Sequence, residues 1–230
     1  MGEVHDNPDH HLHQAEIVRA LNPAAIVFEM LSPEQVAAIA GIDRADEAAL
    51  RAALDWDNSG WPEFSMYYPI FAASDAPVYG AALPRETIRA AMTDGAAATF
   101  GEAAEDFALT PLPEAVEEEL RAEMQASHCN MLPEEMMPGM VEAQRLRDAH
   151  FARVTLQALE ETGRPVVVIT GNGHARADRG MTYSLRHARP DLSVRAIGQL
   201  EEGSESENAP YDEIRLTAAA EREDPCLSLQ

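Results

Sequence analysis

The stretch Arg164-Pro-Val-Val-Val-Ile-Thr-Gly-Asn-Gly-His-Ala-Arg176 leaves this chain few folds to choose from. A continuous β-branched run without polar alternation is what a parallel strand needs when both its faces are covered. The run ends in Gly171 and Gly173, which permit a tight turn with close backbone approach. His174 is thereby delivered at the strand's C-terminal edge. Ala24-Ala-Ile-Val-Phe-Glu-Met30 reads the same way, between Asn22-Pro23 and Ser32-Pro33. It predicts a buried strand, then a helix with Ser32 as cap, Pro33 at the first helical position and Gln35 close to the capping-box place. A third strand, Ala76–Leu83, leads into a helix opened by Pro84-Arg85-Glu86. Strands alternating with helices predict an α/β fold, a parallel sheet flanked by helices.

Open α/β sheets place their chemistry beyond the carboxyl ends of the strands. The first thirteen residues have that form in miniature, and hold four of the eight histidines: His5, His10, His11 and His13. Pro8 disfavours helix at Asn7, and Asn7 or Asp9 can cap a helix running through Leu12, Ala15, Val18 and Leu21. Gly2–His5 therefore reads as a strand end and His10–His13 as a first helical turn. The apolar body of such a strand is missing before Gly2; either the start is set late or the strand is short. Glu3 and His5, Glu29, Arg85, and His174 with Arg176 are all expected at one edge of the sheet.

The intervening chain is expected to be mostly helical. Residues 43–55 form an amphipathic pattern. Trp56-Asp-Asn-Ser-Gly-Trp-Pro62 holds both tryptophans and leads into a helix through Phe64, Tyr67, Tyr68 and Phe71. From Thr93 to Met140 strand signals vanish and Glu, Ala, Pro and Met dominate. An all-helical insertion over 97–150 is therefore expected within an α/β domain of 1–96 and 151–230. It includes an acidic helix at 114–126 and the methionine cluster Met131–Met140. A long helix over 141–161 carries Gln144, Arg147, Asp148 and Phe151 on one face, the charged pair reading as solvated. A further helix at Tyr183–Leu185, strands at 192–198 and 211–217, a polar loop at 201–208 and a frayed tail at 218–230 complete the expectation.

Charge excludes some partners. The net charge is −23, with 17 arginines and no lysine, so a general basic surface for nucleic acid is ruled out. No run approaches the roughly 20 apolar residues of a membrane helix. As written the protein is expected to be soluble and cytoplasmic, or periplasmic or membrane-anchored if a signal segment lies upstream. Cys129 and Cys226, far apart and too few for a disulfide framework, read as free thiols.

Two chemistries fit these residues. Glu3, His5 and His174, with His10 or His11, could form a metal or acid/base site for zinc, manganese or iron, and so a metal-dependent hydrolase. Alternatively, the aromatic surface of Trp56, Trp61, Phe64, Tyr67 and Tyr68, with the methionine cluster, suits a large flat cofactor. A tyrosinate can ligate ferric haem, and arginine or histidine can hold propionates.

Six motifs in order carry a resemblance: Gly2-Glu-Val-His-Asp-Asn-Pro-Asp-His-His11; Trp56–Pro62 with Tyr67-Tyr-Pro-Ile70; Ala82-Leu-Pro-Arg85; Ser127-His-Cys-Asn-Met-Leu-Pro133; Gln144-Arg-Leu-Arg-Asp148; and Thr170-Gly-Asn-Gly-His-Ala-Arg176. Over residues 2–200 the chain resembles the ChaN haem-uptake family of the Tiki superfamily. The resemblance implies a haem carrier rather than an enzyme, with two haems face to face between two protomers. It implies tyrosine ligation of iron, by Tyr67 with Tyr68 as neighbour. Propionates would be held by a histidine and a lysine from the other protomer. With no lysine here, Arg85, Arg147 or Arg176 must stand in, and His128 and His174 are the pocket histidines. It further implies a ligand-linked homodimer, an outer-membrane haem receptor as partner, and no nucleic acid. The same superfamily includes hydrolases of the erythromycin esterase-like and Tiki type, which use a Gly-Glu-x-His strand end and a later histidine; Glu3, His5 and His174 match these.

Overall fold

The computed structural model describes residues 1–204, 210–223 and 226. Its centre is a parallel sheet of three strands in the order β2-β1-β3: β1 (Ala25–Phe28), β2 (Val78–Gly80) and β3 (Val166–Ile169). Ile26 lies opposite Val78 on one side and Val167 on the other. A second parallel pair, β4 (Ile197–Glu201) with β5 (Glu213–Thr217), completes the strands among the described residues.

Alternation along β1 divides the core between two faces. Ile26 and Phe28 face α1 (Pro8–Leu21), α3 (Glu47–Ala53) and α4 (Phe64–Phe71), meeting Val18, Leu50, Phe64, Ile70 and Phe71. The Phe28 and Phe71 rings stack there at 4.6 Å. Ala25 and Val27 face the other way, toward α5 (Arg85–Asp94), α6 (Ala96–Phe100), α8 (Met137–Thr162) and α10 (Met181–Ala188). With helices on both faces, β1 is buried at all four positions, as its uninterrupted apolar run requires.

The helix ends follow local chemistry. Asn7 caps α1 by accepting the Asp9 N–H, which resolves the choice between Asn7 and Asp9. Ser32 and Gln35 form the expected reciprocal box at the start of α2 (Pro33–Ala38). Residues 97–150 carry most of α6, then α7 (Glu114–Ser127) and the first half of α8.

Three expectations need correction. The strand expected over 192–198 begins later, at Ile197, because Arg186 Nη2 and the Asp212 carboxylate hold the Val194 carbonyl and the Ala196 N–H. The tail is not frayed over its described part. Arg222 pairs with Asp6 and Glu201, and the Ala220 N–H donates to Glu201. Finally, Cys129 and Cys226 are not free thiols but form a disulfide across a sequence separation of 97. It joins the α7–α8 turn to the chain end, a proximity that spacing alone does not reveal. Most of the polar loop expected at 201–208, and residues 224, 225 and 227–230 of the tail, lie outside the described residues.

Residues 1–3 run between the two sheets. The Met1 nitrogen donates to the Val168 carbonyl at 2.7 Å, and the Thr170 and Asn172 N–H groups donate to the Met1 and Glu3 carbonyls. On the far side the Gly2 N–H donates to the Ile197 carbonyl. Gly2 has to be glycine, since a Cβ there would stand 2.2 Å from Asn172 Oδ1.

Two histidines outside this seam govern part of the acid response. His10 is fully buried, accepting the Val4 N–H at Nδ1 and meeting Thr217 Oγ1 at Nε2, both at 2.8 Å. A second proton would turn Nδ1 toward another N–H. Burial lowers its pKa to about 4, and burial with Arg153 does the same for His150. A folded-state value below the unfolded value of about 6.5 means the unfolded chain takes up protons first. These two groups therefore contribute stability that is present above pH 6.5 and lost as pH falls toward 4. His10→Gln is expected to lower the slope of unfolding free energy against pH by about 1.4 kcal/mol per pH unit between pH 6 and 4.5. Urea titrations of the two proteins across that range are the check, and parallel curves would reject the assignment.

Candidate functional site

The seam delivers Glu3 and His5 to the C-terminal edge of the sheet, where β1 supplies Glu29 and the turn after β3 supplies His174. Glu3 is buried and gathers donors from three elements. It accepts from His5 Nδ1 (2.8 Å), from Gln14 Nε2 on α1 (2.8 Å) and from the Tyr67 hydroxyl on α4 (2.8 Å). Glu29 accepts from the Thr170 hydroxyl and from the Gly171 N–H, at 2.6 and 2.7 Å. His174 is oriented at Nδ1 by Asp148 on α8 (2.8 Å), with the Gln144 amide at 3.0 Å, and its Nε2 lies 3.5 Å from Glu29 Oε1.

Two imidazoles are thus each backed by a carboxylate at Nδ1 and turned toward Glu29 or solvent at Nε2. Gly171 makes room for this, because a Cβ there would stand 3.0 Å from His5 Nε2. His5 is the open member, its side chain 35% exposed, with the Trp61 ring 4.9 Å away. His174 is buried against Phe151.

The charges reinforce one another. Burial works against a protonated His174, but Glu29 and Asp148 outweigh it and raise its pKa. His5 is likewise raised, burial being outweighed by the bond and charge of Glu3 and by Glu29. Burial would raise Glu29, yet the facing imidazoles and the Thr170 and Gly171 bonds hold it below its ordinary value. Burial pushes Asp148 up. Tyr67 is pushed well above an ordinary phenol by burial and by the charge of the Glu3 carboxylate, which accepts a hydrogen bond from its hydroxyl.

Tyr67 is fully buried, its ring 4.1 Å from that of His11, and its hydroxyl is committed to Glu3. Tyr68 is half-buried and donates to the Ala45 carbonyl. Arg85 stands exposed at the start of α5, with no ion-pair partner among the described residues. Arg176 is held by both Asp178 oxygens. His128 caps the end of α7, its Nδ1 at 2.8 Å from the Met124 carbonyl.

The metal set is not assembled. Among the described residues no group of three or more His, Cys, Asp or Glu side chains could hold a metal ion. His10 turns to Val4 and Thr217, and His11 turns its Nε2 to the His5 carbonyl. His10 braces the loop, and His11, although its Nδ1 lies 3.5 Å from Glu3 Oε2, does not gather Glu3, His5 and His174 around a common point. Sequence reasoning missed Asp148, taken as solvated but buried and bonded to His174, and missed Gln14. Gln144, Asp148 and Phe151 all meet His174; their spacing of four and three sets them on one helix face, as expected, but does not tell that this face is buried.

Fold and site together define an α/β protein with carboxylate-backed imidazoles at the strand ends of a parallel sheet. The family described as haem-binding uptake, Tiki superfamily, ChaN matches residues 1–185, and the chain belongs to that family. Among solved structures it is similar to one titled "Cofacial heme binding to ChaN of Campylobacter jejuni", at 19% identity and a TM-score of 0.66. That similarity covers 93% of this chain and 84% of the other, and it supports the α/β fold. No curated protein matches. No helix among the described residues is long and apolar enough to cross a membrane.

Proposed function

We propose that this chain is a haem carrier, holding haem by a tyrosine at a contact between two copies. The observation that carries this reading is the half-open His5 imidazole, fixed by Glu3 and flanked by Trp61, in a chain of the haem-binding uptake family. The donor set fits the group. Bound haem would supply a flat apolar face and an iron that accepts phenolate or imidazole. Tyr68 is the better phenolate donor, because Tyr67 would first have to leave its burial and its Glu3 bond. Propionates need cations. Arg147 has no ion-pair partner among the described residues and is close enough to lower the pKa of His174, so with Arg85 it is the first choice. Arg176 would have to release Asp178, and His128 the Met124 carbonyl. His174 and Asp148 brace the floor of the site.

The Campylobacter jejuni neighbour is titled for cofacial haem binding, which supports haems lying face to face; that two copies of this chain contribute one haem each is part of the proposal. An outer-membrane haem receptor is the partner such a carrier would serve. The disulfide supports work in an oxidising compartment.

Hemin titration followed by absorbance and sedimentation tests the reading. Saturable binding with a tyrosinate-like spectrum and a doubling of mass is expected. Tyr68→Phe should abolish that spectrum while Tyr67→Phe retains it, and His5→Ala should weaken binding at least tenfold. Unsaturable uptake at constant mass would overturn the haem assignment, and a spectrum unchanged in both tyrosine variants would remove the phenolate.

A further inference from the structure

A cavity of about 450 Å³ opens beside the amino end of β2, where Pro77 and Val78 line it. The carboxylate-backed imidazoles stand beyond the carboxyl ends of the strands, and none of the residues around them lines this cavity. Its size falls within the range of about 300–1,000 Å³ common to small-molecule sites. The chain reaches it from two directions, through residues 39–44 after α2 and through Asp75 on the approach to β2.

The apolar lining is aliphatic. It comes from Val36 on α2, from Ile39 and Ile42 in the loop that follows, and from Val78 on β2. Ile39 belongs to the core, whereas Val36, Ile42 and Val78 pack against that core and stay only half-buried.

The polar lining is a guanidinium and a carboxylate that do not meet. Arg44 Nη1 is buried with no hydrogen-bond partner, although buried donors on charged groups are ordinarily paired because an unmade bond there is costly. The guanidinium carbon stands 5.9 Å from the centre of the Phe71 ring. This cation–π contact steadies the group but gives its N–H donors no carboxylate. Burial lowers the pKa of Arg44, and the charge of Asp75 offsets part of that. Asp75 is therefore close, yet Arg44 forms no ion pair with it among the described residues. The other carboxylate at the cavity is already engaged, since Asp43 Oδ1 accepts the Ala45 N–H at 2.9 Å.

We propose that this cavity binds a free α-amino acid with a branched aliphatic side chain. The ligand's carboxylate takes the unused Arg44 donors, whose planar fork matches two carboxylate oxygens. Its ammonium lies against Asp75, and its side chain lies among Val36, Ile39, Ile42 and Val78. Because an α-amino acid carries both charges on one carbon, it bridges a guanidinium and a carboxylate that do not reach each other. A simple carboxylic acid leaves Asp75 unused, and a phosphate meets two carboxylates and covers no apolar surface. The inference stands apart from the haem reading.

Calorimetric titration of the full chain with L-leucine tests the assignment. The comparison ligands are isocaproate, which lacks the amine, isopentylamine, which lacks the carboxylate, and glycine, which lacks the side chain. Leucine should bind saturably, and each of the three at least about tenfold more weakly. Arg44→Gln should weaken leucine binding by about tenfold or more. Asp75→Asn, a change at an exposed side chain, should weaken leucine and leave the weaker isocaproate binding unchanged. Should Arg44→Gln prevent folding, Asp75→Asn and the three comparison ligands on the unaltered chain still decide. No saturable binding of leucine up to about 10 mM, or isocaproate bound as tightly as leucine, overturns the proposal.

Discussion

Glu3→Ala is expected to cost about 3–5 kcal/mol of folding stability, the range seen when one partner of a buried charged network is removed. The substitution leaves Tyr67 Oη, Gln14 Nε2 and His5 Nδ1 without their common acceptor, in a region where Tyr67 and Gln14 are fully buried. Against a typical domain stability of about 5–15 kcal/mol, that is a large fraction. Glu3→Gln keeps the volume and one acceptor oxygen but sets an amide N–H₂ against donors, so a smaller loss, about 1–3 kcal/mol, is expected. Urea unfolding followed by circular dichroism orders the three proteins. If alanine were no worse than glutamine, Glu3 would not be the acceptor that holds these elements together. Hemin binding should fall with both variants, because His5 loses its charged anchor in each.

Cys226→Ser is expected to cost about 2–4 kcal/mol, since the Cys129–Cys226 bridge closes a long loop and restricts the unfolded chain. For a chain of this size the loss corresponds to a Tm lower by roughly 5–15 °C. The bridge also ties the α7–α8 turn to the segment carrying Arg222, which pairs with Asp6 beside His5. Calorimetry with and without dithiothreitol separates the two effects. Under oxidising conditions the wild type should melt higher, and under reduction the two proteins should coincide. Equal melting in both conditions would show that the bridge does not form in solution.

The sheet was legible because β1 is covered on both faces and β3 on one, and their apolar residues announce it. Ala25–Phe28 and Val166–Ile169 carry almost no polar side chain, so neither helix nor half-exposed strand competes with the reading. The cap chemistry of Ser32 and Gln35 is local and equally readable. β4 was misplaced because Ser193–Ala196 has strand composition but its backbone partners are claimed by Arg186 and Asp212, a tertiary effect with no local signature. Glu3, His5, Glu29 and His174 could be placed at one edge by strand direction alone. What each one touches could not, since Gln14, Tyr67 and Asp148 come from three helices whose approach depends on packing. Asp148 illustrates the limit: next to Arg147 it looks like half of a surface pair, and only the position of β3 shows that it belongs to His174. The disulfide was missed for the same reason, its two ends being brought together by the path of the whole chain.

The seam at residues 1–3 has a consequence for synthesis. Met1 is held by Val168, Gly2 by Ile197, and Gln199 Nε2 donates to the Gly2 carbonyl. Residues 1–3 therefore wait for β4, 197 residues downstream at the Gly2–Gln199 contact, before they can be seated. Such long-range closure is slow, because the loop must be ordered before its contacts form. Until residues beyond 199 have emerged, Glu3 has no fixed place and His5 no fixed orientation. The Glu3 and His5 cluster consequently depends on β4: a chain cut short before Ile197 is expected to fold much of its helical framework and leave that cluster unassembled.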